Sequence, residues 1–211
     1  MTAPCAKFHQ LARRGALQSF PFDRTQLPLN GIYVLFEAGE ECHDGNRIVR
    51  VGTHTGDGQL PSRLLQHFVN ENKDRRIFRK NIGRALLSKT KDPFLTEWER
   101  DRTSRAARLR FGAVPDPARL RAVEADVTRY VQERFSFTIF RVEDRAMRLM
   151  LESKTVSTVS LCEECKPSTE WLGLSSPKQR IRERGLWLVN ELFKEPLSPA
   201  DLEHLPALLV T

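Results

Sequence analysis

The chain has 211 residues, 29% charged and 40% hydrophobic, with a formal net charge of +7 and four cysteines. That balance fits a globular protein with one sizeable core and argues against a disulfide scaffold. No apolar run approaches the roughly 18 residues of a membrane span, and Met1 to Leu17 lacks an apolar signal-peptide core while carrying Arg13 and Arg14, so a cytoplasmic protein without membrane contact is expected.

Residues 1–28 read as a preamble, with one short helix around Phe8 to Leu17 and an irregular approach through Pro21 and Pro28. Gly31-Ile32-Tyr33-Val34-Leu35-Phe36 is apolar throughout and reads as a buried strand. Glu40 to Asn46 reads as a polar turn, and Ile48 to Gly52 as the returning strand of a hairpin. A polar loop follows, Thr53-His54-Thr55-Gly56-Asp57-Gly58. A helix is then expected over about 61–71, with Leu64, Leu65 and Phe68 toward the core. Its Arg63 and His67 are four residues apart and project from one face.

The excess positive charge is local. Lys73 to Arg110 holds thirteen Lys or Arg against five Asp or Glu. Within it, Phe78, Ile82, Ala85 and Leu86 form an apolar stripe at helical spacing, and Arg75, Arg79 and Lys80 lie off that stripe. A solvated helical face with internal ion pairs would look the same, but one segment with this much charge suits a surface that meets phosphates. Arg75, Arg79, Lys80 and Arg84 are the residues expected to bind nucleic acid. Residues 88–116 are expected to be partly helical around Phe94 and Trp98, and a helix is predicted over about 117–134.

Phe135 to Val142 alternates and is rich in aromatic and β-branched residues, the clearest strand pattern in the chain. A helix follows from about Arg145 past Val159, capped by Glu143 or Asp144. Glu152 shares a face of that helix with Leu149, Val156 and Val159, and a carboxylate facing a core needs a partner or a metal. An arginine could be that partner, because apolar residues also line the opposite side. Cys162-Glu163-Glu164-Cys165 has zinc-ligand spacing, and Cys42-His43 and Cys5 with His9 could supply partners, yet no second Cys-x-x-Cys exists. Two reduced cysteines in a semi-buried turn is the simpler expectation. Residues 174–211 read as a helical C-terminal extension.

Taken together, Gly31-Ile32-Tyr33, Val51-Gly52, Arg63 with His67, and a late helical Glu152 resemble the GIY-YIG endonuclease superfamily. The resemblance covers about 29–71 and 135–172 and makes 72–134 a basic helical insertion within a domain spanning 29–173. It implies an α+β fold: a small three-stranded antiparallel sheet flanked by helices. It also implies hydrolysis of duplex or branched DNA with Mg²⁺ or Mn²⁺. Glu152 would be the metal ligand and Arg63 the stabiliser of transition-state charge. Tyr33 would orient or activate the attacking water, with His67 assisting.

The chain departs from the family pattern in two places. Arg50 stands where the second motif carries tyrosine, and sixteen residues separate Tyr33 from Arg50, a longer gap than is common. His54, in the loop after Gly52, is the candidate to take over the missing tyrosine's proton relay. A second reading keeps the fold as a non-catalytic nucleic-acid-binding protein. A third makes Glu152 a paired core residue in an unrelated fold. Monomer and homodimer both stay open.

Overall fold

The computed structural model describes residues 4–211. The chain begins with α1 (Pro4–Ala12) and a two-residue strand, β1 (Gln18–Ser19). The hairpin of β2 (Gly31–Glu41) and β3 (Asn46–Gly52) follows, then α2 (Leu60–Phe68). The basic segment folds as α3 (Ile77–Lys89), α4 (Leu95–Glu99), α5 (Arg105–Phe111) and α6 (Pro117–Arg134). After it come β4 (Phe135–Arg141), α7 (Arg145–Ser160), α8 (Gln179–Arg184) and α9 (Pro199–His204). The strands form one antiparallel sheet in the order β1-β4-β2-β3.

The mixed α/β class is as expected, but the sheet has four strands where three were expected. The extra one, β1, lies in the segment read as a preamble and pairs Gln18 and Ser19 with Phe137 and Ser136. Two residues are too few to show a period-2 pattern.

The unbroken apolar run of β2 has a simple cause: helices cover both faces of the sheet, so every side chain is buried. Tyr33 and Leu35 point to a layer that includes Leu64 and Phe68 of α2, Phe78 and Ile82 of α3, and Val127 of α6. Ile32, Val34 and Phe36 point to the other, with Phe8 of α1, and Leu151 and Val156 of α7. Asp144 caps α7 by accepting the Met147 N–H at 2.7 Å. The residues after α8 also join the core. Trp187 is fully buried, its backbone N–H donates to Val49 O at 2.9 Å, and its indole N–H donates to Glu37 at 2.8 Å.

A bulge interrupts the hairpin just beyond Arg50. Leu35 pairs with Arg50, but Phe36 pairs with Ile48, leaving Val49 extra. Regular pairing puts Arg50 on the layer of Tyr33 and Leu35; the slip adds Val49 to that layer and restores Ile48 to the opposite one. Among the described residues, no helix is long and apolar enough to cross a membrane.

Candidate active site

Tyr33 sits on the central strand β2 directly opposite Gly52 of β3. A Cβ at Gly52 would lie 2.3 Å from the Tyr33 hydroxyl oxygen, so only glycine lets the phenol cross the neighbouring strand. A Cβ at Gly31 would lie 2.4 Å from Phe140 O, which requires glycine where β4 approaches. Both motif glycines are therefore demands of close approach.

The Tyr33 hydroxyl meets His67 Nε2 at 2.7 Å. His67 is fully buried, and its Nδ1 has no hydrogen-bond partner. Burial pushes its pKa well below the ordinary histidine range, and the charges of Arg50, Arg63, Arg76 and Arg79 push it further. The imidazole is accordingly neutral at pH 7. Arg79 also fixes the end of α2 by donating to His67 O at 3.0 Å.

Glu152 reaches this end of the sheet from the opposite layer. Its Oε1 accepts the N–H of Thr53, the residue after Gly52, at 3.1 Å. Among the described residues its second oxygen has no hydrogen-bond partner. Burial raises its carboxyl pKa; the charge of Arg50, the Thr53 N–H and the charge of Arg63 act against that rise. Tyr33, His67, Arg63 and Glu152 thus lie toward the same end of the sheet.

Arg50, in the place of the second motif tyrosine, is buried beside them. Its guanidinium stacks over Phe78 at 5.0 Å and donates to Trp187 O at 2.8 Å, while its Nε is unpartnered. Arg63 is half-buried with its Nε enclosed, and its side chain makes no hydrogen bond among the described residues. Arg76, directly before α3, completes the group; its pKa is lowered by burial and by the charges of Arg63 and Arg75, and the nearby Tyr33 acts in the other direction. Sequence reasoning missed Arg76 and the Thr53 backbone. The step from Arg76 into a helix start was the available signal for the first; a backbone donor leaves none.

Two expectations are corrected. His54 is 5% exposed and has no free ring nitrogen: Nε2 accepts the Gly31 N–H at 3.3 Å, and Nδ1 donates to Gly56 O at 2.6 Å. Burial lowers its pKa as well, so it is a neutral loop brace rather than a proton relay. Arg79, Lys80 and Arg84 are buried, not presented to a phosphate backbone. Arg79 pairs with Glu124 at 2.9 Å, Lys80 donates to Glu99 O at 3.0 Å, and Arg84 grips both oxygens of Glu99 at 2.7 and 2.6 Å. A helix enclosed by α4, α6 and the segment after α7 has little free surface off its apolar stripe. Arg75 is exposed, as are Arg105, Arg108 and Arg110 of α5.

A two-faced antiparallel sheet thus gathers a strand tyrosine, a helix Arg/His pair and a late helical glutamate at one end. The GIY-YIG domain model matches residues 9–211, and the chain belongs to that family. No curated protein and no solved structure matches it.

Proposed function

We propose that the protein is an endonuclease that hydrolyses phosphodiester bonds of duplex or branched DNA with Mg²⁺ or Mn²⁺. The observation that carries this reading is the Tyr33–His67 hydrogen bond of 2.7 Å within the field of Arg50, Arg63 and Arg76. None of those three arginines has a carboxylate partner within salt-bridge distance among the described residues. Guanidinium groups left without anions in a partly buried place suit a phosphate, whose oxygens match their planar fork.

The chemistry follows from hydrogen-bond polarity. A neutral His67 that accepts the Tyr33 proton leaves the phenol oxygen with only lone pairs to offer. Any further contact must be a donor, and a water held there points its oxygen away from Tyr33, toward phosphorus. As the water loses its proton to Tyr33, the phenol proton can pass to His67 Nε2. Arg63 would stabilise the charge that grows on the phosphoryl oxygens, and Arg50 would add to the same field from the position of the missing tyrosine.

Glu152 fits a hard divalent cation: one oxygen is anchored by Thr53, the other is open, and a single carboxylate with several waters suits Mg²⁺. Such an ion, when bound, polarises a phosphoryl oxygen and steadies the leaving oxygen. The neighbouring arginines disfavour a cation alone, so Glu152 would bind it together with the phosphodiester. Arg75 and the exposed arginines of α5 would track the DNA backbone.

One observation favours the alternative, a nucleic-acid-binding protein without catalysis: Tyr33 is 0% exposed, so water needs a small opening to reach it. Supercoiled plasmid decides. Nicking by the wild type with Mg²⁺, abolished by EDTA and by Tyr33→Phe, supports the nuclease. Salt-sensitive DNA binding with no metal-stimulated nicking on supercoiled, linear or branched substrates establishes the alternative instead.

A further inference from the structure

All four cysteines of the chain meet in one place, brought there from three separate stretches. Cys5 comes from α1, Cys42 from the tip of the β2–β3 hairpin, and Cys162 and Cys165 from the turn after α7. All four are free thiols, and Cys5 and Cys165 are buried. Two histidines join them, His9 from α1 and His43 beside Cys42. The ligand atoms of Cys5, His9, His43 and Cys165 lie within 4.8 Å of one another. Cys162 stands just outside that group, with its Sγ 3.5 Å from His43 Nε2. Donors around a tetrahedral zinc ion are separated by roughly 3.3–3.8 Å, given bonds of about 2.0–2.3 Å.

The hydrogen bonds sort the six candidates. His9 Nε2 accepts the buried Ile48 N–H at 3.1 Å, which obliges Nδ1 to carry the proton it donates to Cys5 O at 2.9 Å. His9 has no lone pair left for a metal, and releasing one would orphan a buried backbone donor. His43 is different. Its Nε2 faces the sulfur cluster, and its Nδ1 lies 3.6 Å from the Glu164 carboxylate, which can orient the ring as carboxylates do behind zinc-bound histidines. Cys42 Sγ is turned toward Glu164 O at 3.5 Å.

We propose that the protein holds a structural Zn²⁺ ion through Cys5, Cys162, Cys165 and His43 Nε2, a site that does not include Glu152. The three thiols lose their protons on binding, and a Cys₃His set with no open position has no place for a substrate. The ion would tie the N-terminal helix and the hairpin tip to the end of α7. It thereby braces the helix that carries Glu152.

The test uses the full chain purified under reducing conditions without chelator, with metal content measured by mass spectrometry. About one zinc per chain is expected. Cys5→Ser and Cys165→Ser should lower it at least about tenfold, while Cys42→Ser and His9→Gln keep it. Because a ligand variant can fail to fold, the metal-free wild type is also titrated with Co²⁺. Thiolate-to-cobalt charge transfer with the strong visible bands of a tetrahedral ion is expected, and an altered band pattern in His43→Ala. A folded wild type that carries no zinc and takes up no cobalt overturns the proposal. So does full zinc content in folded Cys5→Ser and Cys165→Ser, or isolation of the four cysteines as disulfides.

Discussion

Two groups of arginines lie on the same layer of the sheet and are treated in opposite ways. Arg79 and Arg84 of α3 are buried and each grips a carboxylate, Glu124 or Glu99, within hydrogen-bond distance. Arg50, Arg63 and Arg76, around His67, have no such partner among the described residues. Sequence composition cannot tell the groups apart, since both contribute equally to a net positive charge. Burial with a carboxylate partner makes an arginine part of the scaffold; an enclosed or half-buried guanidinium without one leaves a charge that another molecule can complete. The basic insertion is therefore mostly a brace for α2 and His67, and the sheet end is where an anion belongs.

The comparison breaks most readily on stability. Arg79→Met should lose about 3–5 kcal/mol in urea denaturation, because it strands Glu124 in the interior. Arg63→Met should change stability by no more than about 1 kcal/mol. Comparable losses in the two variants would make Arg63 another brace and remove the reason to place a phosphate there. Gly52→Ala comes next: its methyl group would meet the Tyr33 hydroxyl oxygen at 2.3 Å. A loss of about 1–3 kcal/mol is expected, together with loss of cleavage, whereas Gly39→Ala meets no atom but sits at a φ of 87°, so it should cost about 1–2 kcal/mol of backbone strain and leave cleavage intact.

The charge environment of His67 gives a pH dependence of known sign. Its folded pKa is depressed, so its contribution is fully present above the unfolded value of 6.5 and is lost as pH falls through the folded value. Stability should decline by up to about 1.4 kcal/mol per pH unit as pH falls from 6.5 toward the folded value and level off below it, and His67→Gln should flatten the decline. Denaturation curves at several acidic pH values measure it; identical slopes in the two proteins would mean that His67 is not held neutral. The smallest effect concerns the exposed surface. Arg75→Ala should weaken DNA binding slightly and reduce the slope of log affinity against log salt by about one.

Much of this was legible in the sequence, and the exceptions have physical causes. Tyr33, Arg63, His67 and Glu152 stand out because an unbroken apolar strand, an i, i+4 pair and a carboxylate among apolar neighbours are patterns of local chemistry. The fates of Arg79, Lys80 and Arg84 were not legible, because they depend on partners 15 to 45 residues away in the chain: the Glu124 and Glu99 carboxylates and the Glu99 carbonyl. His54 looked like a free imidazole because its two partners, Gly31 N–H and Gly56 O, are backbone atoms. The direction of Val49, onto the same layer as Arg50, depends on a bulge that no pattern in the hairpin announces.

The most direct test of the account is single-turnover cleavage of bound duplex DNA by Glu152→Gln with Mg²⁺. The glutamine keeps an oxygen for the Thr53 N–H but removes the charge a hard cation needs. The account predicts DNA affinity near that of the wild type and a cleavage rate lower by at least about 100-fold. A wild-type rate from that variant would contradict it and separate Glu152 from the chemistry.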